Sequence, residues 1–263
     1  MARRTRLDAE LVRRGLARSR DQAAELVSAG RVEVRGMPAR KPAALVDPAD
    51  PVRLLGADPA DGYVSRGAHK LAGALAAFPA LTVTGRRCLD AGASTGGFTD
   101  VLLRAGAAEV VAVDVGYGQL AWSLRTDPRV RVHDRTNARE LTPEAIGGPV
   151  SLAVADLSFI SLRLVLPALA ACTEPDGDLL PMVKPQFEVG RGNVGGDGVV
   201  RDPEDRAAAV LAVAEAAARE GLGVNGVATS PLPGPSGNVE FFLWLRRGAP
   251  PANAESIREA VTR

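Results

Sequence analysis

Lysine, cysteine and long apolar runs are all scarce in this chain of 263 residues. Of its 32 basic residues only three are lysines, Lys41, Lys70 and Lys184. The two cysteines, Cys88 and Cys172, share no metal-ligand or redox spacing, so the sequence predicts buried thiols in a reducing compartment. No apolar stretch approaches the roughly 18 residues of a membrane span, and the N-terminus shows no signal-peptide pattern. We therefore expect a cytoplasmic protein without a membrane segment.

The position of one of these few lysines is informative. Lys184 lies in Met-Val-Lys-Pro-Gln-Phe, at the end of an apolar run where a parallel strand would deliver an active-site group. An arginine is permanently cationic, whereas a lysine loses its proton when it is desolvated or placed near other cations. A site that needs a base, or a compact ammonium beside a developing oxyanion, cannot use arginine as an equivalent. Lys184 is therefore a candidate catalytic residue, with a leftover surface lysine as the alternative.

Charge is distributed unevenly along the chain, although the net charge is only +1. Residues 1–43 carry 11 basic and five acidic side chains, so this segment has a net charge of +6 and the remainder has −5. A basic head on a mildly acidic body indicates a polyanion-binding module joined to a second domain.

The basic head has the pattern of two short helices followed by a strand. Apolar residues recur at helical spacing from Leu7 to Leu16, and residues 19–22 have the form of a capping box that opens a second helix. Residues 31–36 alternate polar and apolar side chains, as a half-buried strand does. Residues 46–61 are rich in proline, aspartate and glycine, which predicts a domain boundary there.

The head resembles the S4 RNA-binding domain. The matching positions are Arg6-Leu7-Asp8, Leu11, Gly15-Leu16-Ala17, Ser19-Arg20, Ala23 and Gly30-Arg31-Val32-Glu33-Val34. The resemblance implies a compact arginine-rich surface that contacts backbone phosphates without reading base sequence. An ordinary solvated helical hairpin is the alternative.

From Arg86 onward, strand-like and helix-like segments alternate, which predicts a parallel sheet covered by helices on both faces. The predicted helices are clearest at Phe98–Arg104, Ser161–Cys172 and Pro203–Glu220. Ligands of such folds bind beyond the carboxyl ends of the strands. The predicted strands are Arg87–Asp90, Glu109–Asp114, Val130–Asp134, Val150–Asp156, Asp178–Lys184, Gly223–Thr229 and Val239–Leu245. Since five of them end in a charged residue, we expect the site at this edge.

A glycine-rich turn follows the first of these strands, in Leu89-Asp90-Ala91-Gly92-Ala93-Ser94-Thr95-Gly96-Gly97-Phe98. Its glycines let the backbone approach a ligand closely, but it departs from the G-x-G-x-x-G pattern of nicotinamide-binding loops. Asp114 ends the next strand, where an acid would hold ribose hydroxyls. A tight structural turn followed by a solvated acid is the alternative.

Three further motifs make the family recognisable. They are Ala155-Asp156-Leu157-Ser158-Phe159-Ile160-Ser161, Val183-Lys184-Pro185-Gln186-Phe187-Glu188 and Gly237-Asn238-Val239-Glu240-Phe241. With these motifs, the chain resembles the TlyA (hemolysin A) family, in which an S4 domain is joined to an FtsJ-like ribose 2'-O-methyltransferase. The resemblance spans nearly the whole chain, including residues 62–71.

This resemblance implies an α/β architecture with a Rossmann-like class I methyltransferase fold, built on a seven-stranded, mostly parallel sheet with helices on both faces. A small α+β S4-like domain over residues 1–61 precedes it, followed by a linker over 62–73 and the methyltransferase domain over 74–263. The implied reaction is transfer of a methyl group from S-adenosylmethionine to a ribose 2'-hydroxyl, expected on cytidine, in small- or large-subunit ribosomal RNA or both. Ribosomal RNA or a ribosomal subunit is the implied partner, and a monomer is our default.

The family's catalytic tetrad maps onto Lys70, Asp156, Lys184 and Glu240, so it includes two of the three lysines. Our hypothesis is that Lys184 takes the proton of the ribose hydroxyl, or holds the hydroxyl as it loses that proton. Lys70 would favour the neutral form of Lys184 and stabilise the alkoxide. Asp156 would orient Lys184, and Glu240 would position Lys70 or the ribose.

Two further sets of residues complete the predicted site, and no His/Cys/carboxylate cluster suggests a metal. The expected cofactor contacts are Asp90, Gly92, Ala93, Ser94, Gly96, Gly97, Phe98, Asp114, Asp134 and Asp156. The expected RNA contacts are Arg3, Arg4, Arg6, Arg18, Arg20 and Arg66.

Three other functions compete with this interpretation. A non-catalytic RNA-binding protein with a vestigial methyltransferase fold is disfavoured by the intact tetrad. A membrane-lytic hemolysin would need a strongly amphipathic or long apolar segment, which the sequence lacks. A small-molecule methyltransferase is disfavoured by the basic head.

Overall fold

The basic head folds as two short helices with two small antiparallel sheets. The computed structural model of the chain describes residues 4–14, 16–17, 19–28, 30–48, 50–54, 62–190, 194–234 and 236–262. The elements of the head are β1 (Thr5–Arg6), α1 (Leu7–Arg13), α2 (Arg20–Ser28), β2 (Val32–Val34), β3 (Met37–Pro38), β4 (Leu45–Val46) and β5 (Val52–Leu54). Strand β1 pairs with β4, and β2 lies between β3 and β5.

The local signals of the head act as the sequence predicts. The Ser19 hydroxyl accepts a hydrogen bond from the Gln22 backbone N–H at 3.1 Å, which satisfies one of the free donors at the start of α2. Gly30, in the left-handed region at φ 68°, follows the end of that helix. Leu7, Leu11 and other apolar side chains of both helices and of the strands form the core of the head.

The body contains a seven-stranded sheet, so the predicted fold class is confirmed. Its strands are β6 (Arg87–Ala91), β7 (Glu109–Val113), β8 (Val130–His133), β9 (Val150–Ala155), β10 (Thr173–Val183), β11 (Leu222–Thr229) and β12 (Phe241–Arg247). They lie in the order β11-β12-β10-β9-β6-β7-β8. Pairing is parallel from β8 to β10, whereas β12 is antiparallel to both of its neighbours.

Two apolar cores, one on each face, separate this sheet from its helices. The helices of the body are α3 (Ala68–Ala77), α4 (Gly97–Arg104), α5 (Trp122–Arg125), α6 (Leu166–Cys172), α7 (Pro185–Glu188), α8 (Pro203–Arg219) and α9 (Ala254–Thr262). Asp202 caps α8 by accepting a hydrogen bond from the Glu204 N–H at 2.9 Å. Within the part of the chain that the structure describes, no helix combines the length and the apolar character that crossing a membrane requires.

The prediction of one helix over Ser161–Cys172 is wrong at its first half. A 3-10 turn over Leu162–Leu164 precedes α6, which begins at Leu166. Pro167 lies in the first turn of α6, where its missing N–H costs nothing; one turn further into a continuous helix it would have removed a hydrogen bond. The segment therefore breaks before the proline.

The segment expected to link the two domains has defined structure. Helix α3 begins within it at Ala68 and packs with Leu71 and Ala74 in one of the two cores of the body. The Val64 N–H donates to Asp100 Oδ2 of α4 at 2.9 Å. Lys70 is thus carried by a helix that is fixed to the sheet.

Candidate active site

The glycine-rich turn after β6 has a backbone that larger residues would not allow. Gly92 and Gly96 both lie in the left-handed region, at φ 88° and 97°. A side-chain carbon at Gly92 would overlap the backbone carbonyl of Asp156. The turn after β6 and the end of β9 are therefore in direct backbone contact, which places the loop beside the candidate catalytic residues.

Asp114, at the end of β7, organises this turn. Its Oδ2 accepts a hydrogen bond from the Ser94 N–H at 2.8 Å, and its Oδ1 accepts from the Gly116 N–H at 2.7 Å. Ser94 itself is held at φ 48°, a conformation that non-glycine residues adopt at a cost. The carboxylate keeps further lone pairs for a ligand's hydroxyl groups.

Asp90 is a buried carboxyl group beneath the turn. Its Oδ2 accepts a hydrogen bond from the Thr99 hydroxyl at 2.6 Å, whereas its Oδ1 has no hydrogen-bond partner among the described residues. Burial raises the pKa of Asp90 to about 7, and the nearby charge of Asp156 adds to this effect. Asp90 is thus a group whose charge a bound cation would stabilise.

Lys184, which follows β10, is paired with the residue that follows β9. Its ammonium group lies 2.6 Å from Asp156 Oδ1 and donates a hydrogen bond to the Ser158 hydroxyl at 3.0 Å. The lysine is buried, whereas Asp156 and Ser158 lie at the wall of a cavity. Because β9 and β10 are parallel neighbours, their carboxyl ends bring these side chains together.

Lys70 and Glu240 form a second buried pair. The Lys70 ammonium group donates to Glu240 Oε2 at 2.5 Å, and both side chains are almost fully buried. Glu240 directly precedes β12, whose first residue, Phe241, pairs with Val183 of β10. The antiparallel register therefore sets Glu240 next to Lys184 along the sheet. The second oxygen of Glu240, Oε1, has no hydrogen-bond partner among the described residues.

A cavity of about 600 Å³ opens beside these residues. Residues of the body that line it include Gly92, Ser94, Asp114, Asp156 and Ser158. The head closes one side of the cavity through Leu16, Ala17, Gln22, Leu26 and Leu54. A volume of this size suits a ligand as large as a nucleoside derivative.

Other predicted cofactor contacts lie in different surroundings. Ala93, Gly96, Gly97 and Phe98 are buried, and the Phe98 ring packs on Phe242 in the core with 6.1 Å between ring centroids. Asp134 is paired with Arg125 at 3.0 Å. These residues support the walls of the site rather than its open face.

The predicted RNA contacts are distributed over the head and the start of the body. Arg4, Arg6, Arg20 and Arg66 are exposed. Arg6 and Arg20 both contact the carboxylate of Asp8. Arg3 and Arg18 lie outside the described residues.

Sequence reasoning missed three residues: Ser158 and Phe159 in the loop that follows β9, and Glu188, which holds that loop by hydrogen bonds. Ser158 contacts the candidate catalytic lysine, and Phe159 is 81% exposed at φ 63°. The buried Glu188 accepts hydrogen bonds from the Ser161 hydroxyl and the Leu162 N–H, both at 2.6 Å, and burial raises its pKa. An aromatic residue in a polar loop is a weak signal for Phe159. The sequence carries no signal for the contacts of Ser158 and Glu188.

Known proteins resemble the chain over its whole length. The model of the FtsJ-like methyltransferase family matches residues 63–247, and that of the S4 domain matches residues 5–52. The 16S/23S rRNA (cytidine-2'-O)-methyltransferase TlyA of Mycobacterium tuberculosis is 65% identical over 264 residues, covering 100% of this chain and 98% of that protein. The 23S rRNA (cytidine-2'-O)-methyltransferase TlyA of Campylobacter jejuni is 34% identical over 184 residues, 69% of this chain and 70% of that protein. A solved structure from Streptococcus thermophilus, provisionally named a hemolysin, has a TM-score of 0.75 at 40% identity and covers 100% of this chain and 96% of that chain.

Proposed function

The chain belongs to the TlyA family of FtsJ-like methyltransferases with an S4 domain, and from this premise we propose that it methylates a ribose 2'-hydroxyl of ribosomal RNA. Cytidine is the proposed nucleotide, since the similar enzymes of M. tuberculosis and C. jejuni are named for it. One observation carries the proposal: two lysine–carboxylate pairs with buried lysines lie at the edge of the sheet, and Asp156 of one pair contacts the glycine turn. Modification of ribosomal RNA would place the enzyme in the cytoplasm.

The residues around the cavity fit S-adenosylmethionine. The close backbone approach at Gly92 leaves room for a ligand against the turn. Asp114, ordered by two backbone N–H groups, would accept hydrogen bonds from ribose hydroxyls. Asp90 has a buried carboxyl oxygen without a partner, and its charge would be stabilised by the ligand's cationic groups. When bound, S-adenosylmethionine would supply an electrophilic methyl group.

Lys184 would take the proton from the ribose 2'-hydroxyl. A ribose hydroxyl is a poor nucleophile near neutral pH, so it must lose its proton as it attacks. Asp156 and Ser158 hold the lysine nitrogen in one position from two sides. The Ser158 hydroxyl can accept a hydrogen bond from the ammonium and can donate one to the neutral amine. It can therefore contact Lys184 before and after the proton moves.

Lys70 would stabilise the negative charge that develops on the ribose oxygen. Glu240 would hold the Lys70 ammonium group in place through their buried ion pair. In this proposal the two pairs have different roles, since Lys184 would accept the proton and Lys70 would offset the charge on the ribose oxygen.

The exposed Phe159 would hold the RNA base next to the reacting ribose. Its strained backbone turns an aromatic ring outward from the loop that carries Ser158. Single-stranded RNA is commonly recognised by stacking unpaired bases on such rings. Arginines of the head would contact phosphates farther along the same RNA.

The test is a transfer assay followed by site mapping. Purified 30S and 50S subunits without the modification are incubated with the full chain and radiolabelled S-adenosylmethionine, and 2'-O-methyl sites are mapped by resistance to alkaline cleavage. We expect label in one or both subunits at defined cytidines, and none with Lys184→Met. RNA binding without transfer by the unaltered protein would favour the vestigial fold, and label on a base or on small molecules would contradict the proposed reaction.

A further inference from the structure

Two arginines of the head share one carboxylate. Arg6 donates through its Nε and Nη2 atoms to Asp8, with Nη2 at 2.7 Å from Oδ2. Arg20, at the start of α2, donates through Nη2 to the same oxygen at 3.1 Å. Because both guanidinium groups contact Oδ2, they lie side by side although they are 14 residues apart in sequence.

The shared carboxylate is buried, whereas the arginines face solvent. The side chain of Asp8 is 6% exposed, against 48% for Arg6 and 59% for Arg20. The backbone around Asp8 is also fixed, since its Oδ1 accepts a hydrogen bond from the Ala9 N–H at 2.7 Å and its own N–H donates to Pro42 O at 2.9 Å. Hydrogen bonds from Arg6, from Arg20 and from the Ala9 N–H lower the pKa of Asp8 far below its ordinary value. The carboxylate is therefore charged at neutral pH.

A second acid with two arginines serves a different purpose in the same domain. Glu10 binds Arg13 and Arg14, but Arg14 directs its remaining nitrogens to the backbone carbonyls of Pro48 and Asp50. That group ties α1 to the loop before β5. Among the described residues, Arg6 and Arg20 donate only to Asp8, and a guanidinium has five N–H donors.

We propose that Asp8 is a positioning residue that holds Arg6 and Arg20 as a paired site for one backbone phosphate of the RNA substrate. The donors not used by Asp8 would form charge-assisted hydrogen bonds to the phosphate oxygens. An arginine side chain loses rotamer freedom when it is fixed, and Asp8 would remove part of that loss before RNA binds. This inference rests on the proposed function, because it takes the head to be the RNA-binding module.

The proposal predicts an effect of opposite sign to that of simple charge. Replacing an acid by its amide makes the protein more positive, so long-range attraction alone would strengthen RNA binding. If Asp8 positions the arginines, Asp8→Asn weakens binding despite the gain in positive charge. Asp21→Asn is the matched control, since Asp21 is an exposed acid next to Arg20 in the same domain.

The measurement is the fluorescence anisotropy of a labelled hairpin RNA titrated with the full chain at several salt concentrations. We expect Asp8→Asn to raise the Kd about 5- to 10-fold, and Asp21→Asn to leave it unchanged or lower it by up to about 2-fold. Asp8→Glu, which keeps the carboxylate, is expected to lose less affinity than Asp8→Asn. Binding by Asp8→Asn as tight as, or tighter than, that of the unaltered protein overturns the proposal.

A cycle with the arginines separates positioning from general stability. In the Arg6→Ala/Arg20→Ala background, Asp8→Asn is expected to have no further effect on the Kd. An equal weakening in that background would mean that Asp8 acts through the fold, and the proposal would be rejected. If the double arginine variant binds RNA as well as the unaltered protein, Arg6 and Arg20 do not form the phosphate site and the proposal is rejected. The methyl-transfer assay tests the proposed reaction separately and does not depend on either result.

Discussion

The head and the candidate active site of the body both use ion pairs with buried members, but with opposite arrangements. In the head the acids Asp8 and Glu10 are buried and most of their arginine partners reach solvent. In the body the cations Lys70 and Lys184 are themselves buried at the edge of the sheet. A permanently charged guanidinium suits a surface that must attract phosphate at any pH, whereas a buried amine can change its protonation state. In the proposed function, arginine would therefore serve RNA binding in the head and lysine would serve the chemistry in the body.

The largest expected effect comes from placing arginine where the body uses lysine. Lys184→Arg keeps the positive charge but removes a group that can accept a proton, so single-turnover methylation should fall about 10²- to 10⁴-fold. Rapid-quench assays with labelled cofactor measure this rate. Lys41→Arg, in the head, makes the same exchange at an exposed position and should leave the rate unchanged. Full activity of Lys184→Arg would show that the site does not need a titratable amine, and the proposed difference in role between the arginines of the head and the lysines of the body would be wrong.

The second pair of the body can be tested through stability. Lys70→Met leaves Glu240 buried without its cation, and we expect a loss of about 3–5 kcal/mol in the free energy of unfolding. Lys70→Met/Glu240→Leu removes both charges and should recover most of that loss, while methyl transfer stays abolished. Urea denaturation measures the free energy of unfolding of each variant, and the transfer assay measures its methylation activity. A double variant no more stable than Lys70→Met would show that the pair is not coupled in this way.

Binding within the body is expected to depend on an aromatic ring rather than on charge. Phe159→Ala should raise the KM for ribosomal subunits about 10-fold, since stacking of a base on an aromatic ring contributes roughly 1–3 kcal/mol. The affinity for S-adenosylmethionine, measured by calorimetry, should not change. Leu164→Ala removes another exposed apolar side chain nearby and serves as the control. An unchanged KM with a lower affinity for the cofactor would assign Phe159 to the cofactor site.

The smallest expected effect comes from the reverse exchange, of arginine for lysine, in the head. Arg20→Lys keeps the charge but replaces a planar fork by a single ammonium group, so we expect RNA affinity to fall only about 2- to 3-fold. Anisotropy titrations measure the change, and the salt dependence should stay the same because the charge does. A loss as large as that of Arg20→Ala would show that geometry, and not charge, dominates this surface.

Much of the site could be predicted because it lies where regular elements end. The sequence predicts the strands of the body to within a few residues, apart from β10, which begins at Thr173 rather than Asp178. The sequence alone therefore predicts that Asp90, Asp114, Asp156 and Lys184 lie at one edge of the sheet. Apolar runs and glycine-rich turns are local signals, and the topology of parallel sheets collects their carboxyl ends.

Contacts between distant segments could not be predicted in the same way. Lys70 and Glu240 are separated by 170 residues, and the sequence left open whether Glu240 would meet Lys70 or the ribose. The outward turn of Phe159 depends on a left-handed backbone in a loop whose neighbours are fixed by Glu188. No periodic pattern encodes such a conformation, because packing around the loop selects it.

The sequence by itself determined the alternation of strands and helices in the body, the glycine turn, the basic head and the rare lysines, since each depends on residues close together in the chain. The tertiary structure decided which carboxylate each buried lysine meets, and that Asp8 joins two arginines from different elements. These pairings are decided by strand register and helix packing, which bring remote residues within hydrogen-bonding distance only once the chain has folded.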